Sequence, residues 1–167
     1  MLQDTTVRRR KRQRLRCREG VRDVFIASSP AAVHCVDDLV PAAEVVAGCS
    51  ITVVDVDDLG EFVQGYTSRA PSGSAVVELS RVCACRDFTL AHELGHLVLG
   101  HRMGPCTYDN GLGVLQGIYK HSHEEMQERE VDLFARNMLW MLEHGAGATT
   151  ESHWRWLYQI AGDGAFL

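Results

Sequence analysis

Apolar and polar positions divide the chain into a helical start, a β-rich centre and a helical end. A helix is expected from about Arg14 to Ile26, and after the Ser28-Ser29-Pro30 break a second from about Ala31 to Ala47, stopped by Gly48 as a C-terminal cap. Ile51 to Val56 is a compact β-branched run, Glu61 to Thr67 carries Phe62, Val63 and Tyr66, and Ser74 to Val82 is again β-rich. Gly60 and Pro71-Ser72-Gly73 supply turns between them, so a small, mainly antiparallel sheet is expected.

Asp87 then stands where a helix cap belongs, ahead of Phe88, Leu90, Ala91, Leu94, Leu97 and Val98 at helical spacing, with Gly100 as the stop. A Gly-rich connection from Gly104 to Gly117, read as a flexible flap, leads to a long helix from about His123 to His144. A short helix around Trp154 and Trp156 closes the chain. This order of elements predicts an α+β domain.

With 167 residues, 46% of them hydrophobic, the chain can bury one core. Its net charge of -5 is unevenly spread, because Arg8, Arg9, Arg10, Lys11, Arg12, Arg14, Arg16 and Arg18 supply eight of the 17 basic residues. Residues 1–20 therefore read as a basic, flexible arm, and residues 21–167 as a single domain. The basic run reads first as a solvated segment; its functional reading is a contact with nucleic acid or an acidic partner through residues 8–18. Charges interrupt the apolar positions that follow, and no membrane-length apolar run exists, so a cytoplasmic protein without a membrane partner is expected. The six cysteines (17, 35, 49, 83, 85 and 106) form no CxxC pair and read as reduced thiols. Cys83 and Cys85 lack a second pair to complete a metal site.

The chemistry concentrates in His92-Glu93-Leu94-Gly95-His96. Residues i and i+4 stack on one helix face, so both imidazoles can reach a single zinc ion, and Glu93 can serve as general base and then acid toward a bound water. Gly95 in mid-helix costs about 1 kcal/mol relative to Ala, which points to close packing or a site constraint.

A catalytic zinc takes three protein ligands and keeps one position open. His101 is the next histidine, but Leu99 and Arg102 stand where the HExxHxxGxxH spacing needs Gly and His. The other source is the long helix, where Glu124, Glu125, Glu128, Glu130 and Asp132 compete. At about 100° per residue, Glu130 falls inside the apolar arc of Met126, Leu133, Phe134, Met138, Trp140 and Met141. Glu128 lies at its edge, and Glu125 and Asp132 on the solvent side. A carboxylate on an apolar face needs a partner, and a cation serves, so Glu130 is the expected third ligand and Glu128 the reserve. Tyr66, Tyr108, His121 and His123 are candidate oxyanion partners.

The stretch Arg86-Asp87-Phe88-Thr89-Leu90-Ala91-His92-Glu93-Leu94-Gly95-His96-Leu97-Val98-Leu99-Gly100-His101, followed by Glu128-Arg129-Glu130-Val131-Asp132-Leu133-Phe134-Ala135, resembles the ImmA/IrrE family of zincin-like metallopeptidases. The likeness spans about residues 50 to 142. Val131 stands where the family usually has Ala, and Asn137-Met138-Leu139-Trp140 lacks the usual Pro. The resemblance implies a zincin-like fold, in which the HExxH helix and a second ligand-bearing helix pack on the sheet. It implies Zn2+ held by His92, His96 and Glu130, with Glu93 as acid/base. It also implies a peptide substrate lying along Ser74 to Val82, and regulatory proteolysis, often of a partner transcription repressor. The alternative is a non-catalytic regulator stabilised by zinc and acting through protein or DNA contacts.

Overall fold

The structure is a computed structural model and describes residues 2–28, 33–57, 59, 63–70, 72–101 and 114–145, with side chains from residue 7 onward in the first segment and at 126–144 in the last. Most of the Gly104–Gly117 connection, the Trp154/Trp156 helix, Phe62 and Tyr108 lie outside the described residues, as do the side chains of His121 and His123.

The elements are α1 (Leu2–Ala27), a 3₁₀ turn (Asp37–Leu39), α2 (Val40–Ala47), β1 (Ile51–Val56), β2 (Gly65–Arg69), β3 (Ala75–Ser80), α3 (Arg86–Val98) and α4 (Val114–Gly145). The α+β expectation holds. Helix α1 covers the whole basic run and is longer than its apolar pattern suggests; Cys17, Val21 and Val24, at i, i+4 and i+7, form its buried stripe. Helix α2 begins later than expected. The Asp38 carboxylate accepts the backbone N–H groups of His34 and Cys35 (2.8 and 3.1 Å), which holds that stretch out of the helix, while Gly48 ends α2 in the left-handed conformation as expected.

The sheet is mixed, which corrects the expectation of a mainly antiparallel one. The strand order is β1-β3-β2, with β3 parallel to β1 and antiparallel to β2. The chain skips a strand position between β1 and β2, and the Ala70–Ser74 turn then returns β3 into the gap. β3 is the most buried strand, with Ala75, Val77, Leu79 and Ser80 inside. Because β3 is paired on both sides, Ser74 to Val82 offers no free edge to a peptide. The sheet edge next to α3 belongs to β2.

Helix α3 packs against β2 and β3 on one side and α4 on another, and α4 also packs on α1. Leu90, Ala91, Leu94 and Leu97 of α3 meet Val77 and Leu79 of the sheet and Val131, Phe134 and Met138 of α4 in one core. Asp87 lies in the first turn of α3 and is not its cap; Cys85 occupies that position without a side-chain hydrogen bond. Gly95 is explained by packing, since a Cβ built there would lie 2.9 Å from Phe134 Cδ1 and 3.2 Å from Val131 Cγ1. Gly20 of α1 makes a similar close approach to Val98, Leu99 and Phe134.

Candidate metal centre

Helix α3 presents His92 and His96 on the face turned toward α4, one helical turn apart, with ring centroids 5.2 Å from each other. Glu128 of α4 reaches both: its Oε2 lies 3.1 Å from His92 Nε2 and its Oε1 3.5 Å from His96 Nε2. One ligand atom from each of His92, His96 and Glu128 lies within 4.8 Å of the others, and this cluster can hold a metal ion. Two imidazole nitrogens and one carboxylate oxygen are a donor set compatible with zinc.

Each imidazole is gripped on its other nitrogen. His92 Nδ1 sits 3.0 Å from Asp132 Oδ1, so Nδ1–H donates a hydrogen bond to that carboxylate, and Nε2 is the nitrogen that faces Glu128. His96 Nδ1 sits 3.2 Å from His101 Nδ1. Burial pushes the His96 imidazole down to about 4, which keeps it neutral, as a ligand must be. Burial also pulls on His92, but its hydrogen bond to Glu128 and the surrounding carboxylates outweigh it, and its pKa is raised overall. The contact with His92 holds Glu128 below its ordinary value and so favours the carboxylate.

Glu93 is buried beside His92, on the side of this cluster nearest the sheet. Thr67 Oγ1 of β2 donates a 2.6 Å hydrogen bond to Glu93 Oε2. Burial raises the Glu93 pKa, partly offset by the Thr67 hydroxyl and the neighbouring His92. The start of β2 fits closely here: a Cβ on Gly65 would lie 2.5 Å from Thr89 Cγ2 and 3.1 Å from both Glu93 Cγ and Oε1.

Glu130, the expected third ligand, is not among the residues gathered at the histidine pair. It is buried, as its phase in the apolar arc requires, but its partners are His101 Nε2 at 3.2 Å from Oε2 and Arg16 Nη1 at 3.5 Å from Oε1. The carboxylate beside His92 and His96 is the reserve, Glu128. Asp132, assigned to the solvent side, shares its face one turn on and touches His92. The physical reason is that Glu128 and Asp132, at the edge of the apolar arc, are about half exposed where His92 and His96 face α4, whereas Glu130, inside the arc, is enclosed in the packed seam.

Thr67 and Gly65 belong to no motif in the sequence, and helical phase sets Asp132 on the solvent side. A glycine opening a strand is a signal of close approach, but nothing local to Thr67 marks its partner, which is 26 residues away. Tyr66 neighbours Thr67 on β2, and strand alternation sends it to the opposite face of the sheet, away from Glu93. No protein-family model, curated protein or solved structure matches the chain.

Proposed function

We propose that the protein is a zinc-dependent endopeptidase, similar to the ImmA/IrrE metallopeptidases, with zinc held by His92, His96 and Glu128 and with Glu93 as general base and acid. The observation that carries this reading is the convergence of His92, His96 and Glu128 on one point, with the buried Glu93 carboxylate beside His92. Glu128 replaces Glu130 in the expected ligand set.

When bound, zinc polarises the scissile carbonyl and lowers the pKa of water. The chain's own groups do the rest. Asp132 fixes His92 with Nε2 toward the metal position. Glu93, raised in pKa by burial, is suited to take a proton from water and return it to the leaving amine, and the Thr67 hydroxyl holds its carboxylate in one orientation. A peptide fits along β2: the Ser80 N–H to Gln64 C=O bond sets the ladder so that Gly65, Thr67 and Arg69 turn their backbone groups outward. An extended substrate pairing with those groups would lie beside Glu93. A regulatory protein such as a transcription repressor, with an extended exposed segment, is the proposed substrate class. Among the described residues no helix is long and apolar enough to cross a membrane.

The test compares zinc-loaded wild type with Glu93→Gln on candidate repressors from the same genome. Cleavage by wild type alone is expected. If both proteins bind zinc and neither cuts any of these partners, the reading fails.

A further inference from the structure

We infer that His101 and Glu130, anchored by Arg16, form a positioning relay that fixes the tautomer and orientation of His96. The inference rests on the zinc reading above and concerns residues that this reading leaves without a task.

Helix α3 ends in a specific way. Gly100 adopts φ 62°, its N–H bonds Leu97 C=O at 3.1 Å, and the His101 N–H bonds His96 C=O at 2.9 Å. This pair of bonds is a Schellman closure, and it folds the chain back so that His101 stands over the last turn of the helix. The rings of His101 and His96 come within 5.2 Å, centroid to centroid, at 73°.

The hydrogen bonds then run in one direction. A carboxylate only accepts, so His101 Nε2, 3.2 Å from Glu130 Oε2, carries its proton. A neutral His101 therefore has Nδ1 as an acceptor. The atom 3.2 Å away, His96 Nδ1, must be the donor, and His96 Nε2 is left with its lone pair toward Glu128. Asp132 holds the Nδ1–H of His92 directly. The Nδ1–H of His96 is held through one more residue.

The far end of the relay is also held. Arg16 of α1 meets Glu130 Oε1 and donates to the carbonyl of Leu99, two residues before His101. His101 and Glu130 are each under a tenth exposed. A histidine and a glutamate buried in this seam carry a desolvation cost that an apolar pair of the same shape would avoid. Their alignment on the free nitrogen of His96 accounts for them.

The experiment measures zinc affinity by chelator competition, and the visible absorption of the Co2+-substituted protein, for wild type, Glu128→Ala, His101→Leu and His101→Asn. Leucine fills the space without hydrogen bonding, whereas the asparagine oxygen can still accept from His96 Nδ1. The expected result is a loss of about 10- to 100-fold in affinity for His101→Leu with a shifted Co2+ spectrum, and recovery of most of both in His101→Asn. A purely packing role predicts wild-type affinity and spectrum for His101→Leu, and that result overturns the relay, as does His101→Asn behaving like His101→Leu. Loss of binding in Glu128→Ala with His101→Leu unchanged sinks the relay alone; wild type that binds neither metal sinks the zinc reading with it. Should His101→Leu not fold, long-range proton–nitrogen spectra of the zinc-loaded wild type decide the matter. His96 protonated at Nδ1 and His101 at Nε2 support the relay, and any other tautomer at His96 contradicts it.

Discussion

Gly95 of α3 faces the Phe134 ring of α4 so closely that an added methyl would sit 2.9 Å from Phe134 Cδ1. This contact sets the gap between the helix bearing His92 and His96 and the helix bearing Glu128. Gly95→Ala should gain about 1 kcal/mol of helix propensity but lose about 1–3 kcal/mol to overpacking. The expected outcome is a net loss of stability in urea denaturation together with weaker zinc binding. Pairing it with Phe134→Leu should restore part of both, and a Gly95→Ala protein as stable and as zinc-avid as wild type would show that the helix spacing is set elsewhere.

Thr67 acts on Glu93 and touches none of the proposed ligands. Thr67→Val keeps the side-chain shape and removes the hydrogen bond, so kcat should fall about tenfold while zinc content stays at the wild-type level. Steady-state kinetics beside metal analysis checks this. A loss of zinc in parallel with activity would mean that Thr67 supports the fold of the site as a whole.

Cys17 is fully buried between α1 and α4, with its thiol directed at the Glu130 carbonyl at 3.2 Å. Burial pushes its pKa up to about 12, against about 8.5 for a free thiol. The neutral form is favoured by folding, so its contribution is fully present below the unfolded pKa and declines as pH rises from about 8.5 toward 12, by up to about 1.4 kcal/mol per pH unit. In the native protein at pH 8, alkylating reagent should label the exposed Cys85 and leave Cys17 unmodified, with Cys17 reacting only in denaturant. Mass spectrometry of the labelled peptides reads this, and rapid native labelling of Cys17 would contradict the packing of α1 on α4.

Much of this arrangement was legible along the chain. Ile51 to Val56 matches β1 residue for residue, and the helix around His92 and His96 is within two residues of its expected ends, because β-branched runs and helical periodicity are local signals. The partner of each strand is a non-local property. β1 and β3 pair in parallel through a skipped position that no turn residue announces, whereas the turn signals alone suggest a mainly antiparallel sheet. The same limit applies at the site. Helical phase placed Glu130 in the buried arc, which it occupies, but phase says nothing of what lies opposite. His101 and Arg16 lie opposite Glu130, while the histidine pair faces the arc's edge, where Glu128 and Asp132 stand.

Arg86 ties the start of α3 to the elements before it, contacting Asp37 at 2.6 and 3.1 Å and Asp55 at 3.2 Å. The cluster is half exposed, so Arg86→Lys, which loses the two-pronged contact with Asp37, should cost no more than about 1 kcal/mol. Urea denaturation in low and high salt tests this, with the gap between the two proteins narrowing as salt rises. A loss of several kcal/mol would show that the ion pairs hold α3 in place more firmly than their exposure allows.

Whether His92, His96 and Glu128 hold zinc beside Glu93 is decided by the zinc dissociation constants of wild type, Glu128→Ala, Glu130→Ala and Glu93→Gln. Stoichiometric zinc is expected in wild type, with near-unchanged affinity in Glu93→Gln and a loss in Glu128→Ala beyond the roughly 100-fold reach of a residue that only supports a ligand. Glu130→Ala should fall between them. Wild-type affinity in Glu128→Ala, or a greater loss in Glu130→Ala than in Glu128→Ala, would contradict this ligand set.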